Sequence, residues 1–160
     1  MYALTLTADL AGVTNLRPDD TEASPFLYFF QVQCTSCRET HPNYVTVNRF
    51  DMNEMSGSRG EANFVFKCRN CKRESSASIK SAPTPYEQTE PAKPQKMLEI
   101  ECRGIEFTKF SPEGEWLVDG AETNTKFTGI DLTEGEWFEY DEKAGDEVSI
   151  TNLKWEINRA

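Results

Sequence analysis

The chain has 160 residues and a formal net charge of −10, which is long enough to bury a core in one compact unit or two small lobes. No apolar run approaches the ~20 residues that a bilayer-spanning helix needs. The charge is uneven, with ten Lys/Arg and eleven Asp/Glu in residues 1–94 against seven and sixteen in 95–160, so phosphate backbones would be repelled by the second part.

The first residues, Met1-Tyr-Ala-Leu-Thr-Leu-Thr7, carry neither a basic nor an apolar leader pattern, and a reducing cytosolic or nuclear setting is expected. Along the chain, period-two alternation dominates and helical periodicity is scarce. Ala3–Thr7 reads as a strand, and Phe26–Cys34 as another running straight into a Cys-x-x-Cys motif. Tyr44–Asn48 is a short strand after the turn at His41-Pro42-Asn43, and Met52–Gly60 is a loop. Asn63–Cys68 enters a second Cys-x-x-Cys and Ser76–Lys80 returns from it, predicting a hairpin with a metal at its tip. Ala82–Gln95 holds four prolines and connects two parts. Beyond it Met97–Cys102, Glu136–Tyr140, Val148–Ile150 and Leu153–Ile157 alternate again. The expected fold is all-β, with short antiparallel strands in two similar sandwich- or barrel-like halves. Its expected parts are a zinc-binding half (1–81), a connector (82–95) and an acidic metal-free half (96–160), packed as one unit.

The two knuckles are Cys34-Thr-Ser-Cys37 and Cys68-Arg-Asn-Cys71, with 30 residues between them. A two-residue gap turns both sulfurs of a knuckle toward one point, and two knuckles supply the four corners of a closed tetrahedral zinc site. Disulfides, an iron–sulfur cluster and a redox pair are the alternatives. A reducing setting disfavours the first, and a thioredoxin-type centre uses one such motif rather than two matched ones. Zinc, one ion per chain on Cys34, Cys37, Cys68 and Cys71, is the reading the spacing favours. Cys102, in Leu98-Glu-Ile-Glu-Cys102, reads as a small core residue.

An internal repeat sharpens the architecture. Leu4, Leu6, Val13, Thr14, Leu16 and Pro18 align without a gap on Leu98, Ile100, Phe107, Thr108, Phe110 and Pro112. Asn63–Cys68 also resembles Asn152–Ile157, with Ile157 where Cys68 stands. Duplication with metal kept only in the first copy is the simplest account, and it predicts a pseudo-twofold arrangement with an exposed connector.

Asn15-Leu-Arg-Pro18, the paired knuckles, Gly57-Ser-Arg-Gly60, Glu101-Cys-Arg-Gly104 and Asp141-Glu-Lys143 together resemble the eukaryotic CXXC-motif-containing zinc-binding proteins, also called UPF0587 or DUF866. The resemblance runs from the first strand to the last. It implies an all-β fold of two similar halves with one zinc on the four cysteines, and it implies no reaction.

Catalysis is not expected. A catalytic zinc keeps an open position, whereas four cysteines close the shell, and the one histidine, His41, reads as a turn residue before Pro42. Arg38, Lys67, Arg69, Lys72 and Arg73 surround the knuckles and would offset the negative charge of a zinc tetrathiolate. In the second half Glu134, Glu136, Glu139, Asp141, Glu142, Asp146 and Glu147 ring Trp137, Phe138 and Tyr140, which suits a basic protein partner. The expected function is a structural-zinc interaction module. Thiolate metal transfer or redox chemistry, and RNA binding at the zinc tip, are its rivals.

Overall fold

The computed structural model describes residues 1–56 and 60–159, so most of the Gly57–Gly60 motif lies outside the described residues. The strands are β1 (Tyr2–Ala11), β2 (Val13–Pro18), β3 (Tyr28–Cys34), β4 (Val45–Val47), β5 (Asn53–Glu54), β6 (Glu61–Ala62) and β7 (Phe64–Lys67). They continue with β8 (Glu74–Ile79), β9 (Gln95–Arg103), β10 (Ile105–Ser111), β11 (Trp116–Gly120), β12 (Lys126–Ile130), β13 (Trp137–Asp141) and β14 (Asp146–Arg159). The fold is all-β and antiparallel, and among the described residues no helix is long and apolar enough to cross a membrane. The stretch read as a loop from Met52 contains β5, which makes a two-residue pairing with β6.

Alternation explains the layers. Leu4, Leu6, Ala8 and Leu10 of β1 are buried, as are Tyr28, Phe30, Val32 and Cys34 of β3, while the residues between them face outward. A six-stranded sheet of order β13-β14-β1-β9-β8-β7 carries two three-stranded sheets, β10-β3-β4 and β12-β11-β2. Trp155 of β14 lies where these meet, with its ring 4.8 Å from Phe110 of β10 and 5.5 Å from Trp116 of β11. Each large apolar side chain buried there stabilises the fold by about 1.5–3 kcal/mol.

The order of the large sheet is a palindrome about the β1–β9 pair, where Leu4 stands opposite Leu98. β13 and β7 close its two ends, β14 and β8 come next, and the two small sheets exchange β2 for β10 and β11 for β3. Leu6 and Ile100 are both fully buried. Gly12 (φ +73°) turns β1 into β2, and Gly104 (φ +82°) turns β9 into β10. A Cβ would meet Val148 Cγ1 at 2.8 Å on Gly12 and Ser75 Oγ at 2.5 Å on Gly104, so both corners require glycine. The ungapped alignment therefore slips by two residues past Leu4/Leu98, because Gly12 and Gly104 occupy matching corners.

The resemblance of Asn63–Cys68 to Asn152–Ile157 does not survive in space. The first lies at the end strand β7, whereas Leu153–Ile157 lies in β14 and pairs with the central β1. A matching apolar pattern carries no register, and register decides which residues correspond.

The proline-rich stretch 82–95 is stitched to the body. Leu16 and Tyr86 exchange backbone hydrogen bonds of 2.9 and 2.8 Å. The Tyr86 phenol is buried, accepting from Ala8 N–H at 3.0 Å and lying 2.8 Å from the Lys93 carbonyl.

Candidate metal centre

β3 delivers Cys34 at its last residue, and the chain then folds into a tight knuckle. Arg38 N–H donates to the Cys34 carbonyl at 2.9 Å, and Cys34 N–H donates to the Glu39 carbonyl at 3.0 Å. The second knuckle, which caps the β7–β8 hairpin, repeats this pattern: Lys72 N–H to Cys68 O at 2.8 Å, and Cys68 N–H to Arg73 O at 3.0 Å. The residue after each second cysteine is left-handed, Arg38 at φ +66° and Lys72 at φ +67°. Thr35 N–H donates to the Gly104 carbonyl at 3.1 Å and ties the first knuckle to the β9–β10 corner.

The four sulfurs converge, all lying within 4.8 Å of one another. Across the knuckles, the Cys34 and Cys71 sulfurs lie 3.7 Å apart and those of Cys37 and Cys68 3.6 Å apart. A tetrahedron with Zn–S bonds of about 2.3 Å has S–S edges of about 3.8 Å, so these sulfurs fit a tetrathiolate metal site. Cys34 and Cys68 are buried, and Cys37 and Cys71 are half-buried.

The electrostatics run the same way. A side-chain hydrogen bond from Asn70, followed by the Glu39 backbone N–H, brings the Cys37 thiol down to about 6. The Cys37 backbone N–H lowers Cys34. At Cys71 the Arg73 N–H pulls down, but burial and the three neighbouring thiols together push it up to about 11. Four crowded thiols cannot all ionise without a cation between them. The contribution of Asn70 went unnoticed in the sequence, although its position inside the second knuckle is the available signal.

The other singled-out residues lie apart from this cluster. His41 stands outside the sulfur group, its Nδ1 accepting from Asn43 N–H at 3.2 Å and its ring edge-on to Phe66 at 5.5 Å. Cys102 is half-buried opposite Ala77 in the β8–β9 ladder, and burial pushes its thiol up to about 12. Arg38 pairs with Glu106 at 3.6 Å, and Arg73 reaches Ser36 Oγ at 3.4 Å. In the acidic half Phe138 and Tyr140 are exposed, but Trp137 packs against Phe127 at 5.4 Å. Asp141, counted above in the outer ring of carboxylates, is 1% exposed and turned inward.

A family model described as CXXC motif containing zinc binding protein, eukaryotic, matches residues 3–158. The chain belongs to that family. It is 46% identical to the UPF0587 protein C2D10.03c of Schizosaccharomyces pombe, over 99% of this chain and 98% of the relative. It is 36% identical to the human protein named CXXC motif containing zinc binding protein, over 92% and 91%. Its fold matches a solved structure titled "Crystal Structure of C1orf123", with a TM-score of 0.89, 34% identity and 99% of each chain covered. A hypothetical protein from Plasmodium falciparum matches with a TM-score of 0.85 and 25% identity, over 98% of each chain.

Proposed function

We propose that this chain is an interaction module built around one structural zinc ion held by Cys34, Cys37, Cys68 and Cys71, and that it is not an enzyme. The observation that carries the reading is the convergence of four thiols from two matched knuckles at tetrahedral spacing. A shell of four protein thiolates leaves no position for water or substrate, which supports a structural role. The metal joins β3, in a small sheet, to the tip of the β7–β8 hairpin in the large one. Arg38 and its neighbours offset the charge of the tetrathiolate.

The palindromic strand order supports an internal duplication behind this arrangement. The partner surface is the acidic face around Phe138 and Tyr140, which are 63% and 49% exposed beside Asp146 and Glu147. Its chemistry suits a lysine- or arginine-rich segment, whose stems would cover the rings while their charged heads meet carboxylates.

Metal content per purified chain tests the first part, with one zinc expected and none in Cys68→Ser. An iron–sulfur absorption band, or zinc retained by Cys34→Ser/Cys68→Ser, overturns it. Titration of a lysine-rich peptide tests the second. Affinity should fall with salt and with Glu139→Lys/Glu142→Lys/Glu147→Lys at unchanged zinc content. Binding indifferent to both removes the acidic face from the account. The half-buried state of Cys37 and Cys71 favours metal transfer as the second reading, and rapid loss of zinc to a weak chelator would select it.

A further inference from the structure

The two cysteine knuckles have counterparts in the metal-free half. β11 ends at Gly120 as β3 ends at Cys34, and the ladder partners agree. Gly120 faces Val13, the first residue past the Gly12 corner, and Cys34 faces Ile105, the first past the Gly104 corner. Asn124 N–H donates to Gly120 O at 3.0 Å and Gly120 N–H to Thr125 O at 2.8 Å, with Asn124 at φ +58°. That is the bonding of Arg38, Cys34 and Glu39 in the first knuckle.

The second knuckle is matched as well. β13 ends at Asp141, and Gly145 N–H donates to Asp141 O at 2.8 Å with Gly145 at φ +67°. Lys72 and Cys68 have the same bond length and the same φ. The registers agree again, with Trp137 opposite Ile150 and Asp141 opposite Asp146, as Phe64 stands opposite Ala77 and Cys68 bonds to Arg73. Positions 34, 37, 68 and 71 therefore correspond to Gly120, Thr123, Asp141 and Ala144.

A hydrogen-bonded hub sits where the first half gathers its sulfurs. The Asp141 carboxylate accepts from the hydroxyls of Thr123 at 2.5 Å and Thr125 at 2.9 Å, and from the N–H groups of Lys143 at 3.1 Å and Ala144 at 3.4 Å. A Cβ on Gly120 would run into Thr123 Oγ1 and meet Asp141 Oδ2 at 2.8 Å. Position 120 thus points into the hub, and the hub fills the space a side chain would need. A single turn of this type is common hairpin chemistry. Two of them on strands of different sheets, in matching register and with their first and fourth positions converging, are not explained that way.

We propose that the second half holds the frame of a second four-ligand knuckle pair, in which the Asp141 carboxylate does the cross-bracing that a metal does in the first. Placing cysteines at these four positions then creates a second metal site for a thiophilic divalent cation. The correspondence rests on backbone geometry, so it stands apart from the identity of the metal at Cys34, Cys37, Cys68 and Cys71.

The test is the full-length variant Gly120→Cys/Thr123→Cys/Asp141→Cys/Ala144→Cys titrated with cobalt(II). It should take one equivalent more than wild type, with the thiolate-to-cobalt absorption doubled. Wild-type stoichiometry judges the first centre, and only the difference judges this proposal. A folded variant with no additional equivalent overturns it. Should that variant misfold, Asp141→Ala decides by hydrogen exchange. Residues 120–125 and 141–145 should lose protection together at unchanged metal content, and loss at one turn alone, or at neither, refutes the brace.

Discussion

The Cys34/Cys68 turns and the Gly120/Asp141 turns join the same kinds of strand, one from a small sheet and one from an end of the large sheet, by different chemistry. One pair brings four sulfurs together, which need an ion to be stable as thiolates. The other brings one carboxylate to two hydroxyls and two N–H groups, and is complete by itself. A knuckle frame of this kind can hold two sheets at a fixed spacing either around an ion or with hydrogen bonds alone.

The largest effect should come from Cys68→Ser, or from stripping the metal with a strong chelator. Metal coordination of this kind is worth about 10–16 kcal/mol in small zinc modules, so its loss should abolish exchange protection around residues 34–39 and 68–73. Protection at 120–125 and 141–145 should persist, and simultaneous loss in both halves would break the contrast. Next comes Asp141→Ala, which strands several donors and should lower the melting temperature by about 5 °C at constant metal content.

Acid should act on the same hub. Hydrogen bonds, from Thr123 first, hold the Asp141 carboxyl below its usual range. A folded value below the unfolded one contributes stability at pH above about 4, and that contribution is lost as pH falls through the folded value. Gly120 and Gly145 amide resonances followed from about pH 5 to about pH 2 should broaden or shift with that titration, and Asp141→Asn should remove the response. Smaller again is the left-handed position shared by Lys72 and Gly145 at φ +67°. Gly145→Ala should cost about 1 kcal/mol in denaturant unfolding, whereas Lys72→Gly should be neutral or slightly stabilising.

The cysteine spacing made the four-sulfur cluster legible, because Cys-x-x-Cys is both a turn and a ligand pair. Strands with one wet face, such as β1, β3 and β9, announced themselves by alternation. The strands left unread had their pattern broken for physical reasons. β10 carries a bulge between Phe107 and Lys109, β11 is buried on both faces from Val118 to Gly120, and β12 contains Gly129 at φ +62°. The hub at Asp141 was hidden because its donors are ordinary threonines. The Gly145 that follows it at knuckle spacing was the one local sign.

The pairing of β1 with β14 sets Tyr2 opposite Arg159, whose guanidinium lies 5.4 Å from the tyrosine ring. β1 is therefore flanked in the middle of the large sheet by β9 and β14, strands that a ribosome makes much later. Loop closure over so long a span is slow, and the central ladder must wait until β14 has emerged. The four cysteines are all synthesised well before that moment. A nascent chain can gather its knuckles while the sheet they brace is still incomplete, so metal binding does not have to wait for the sheet to close.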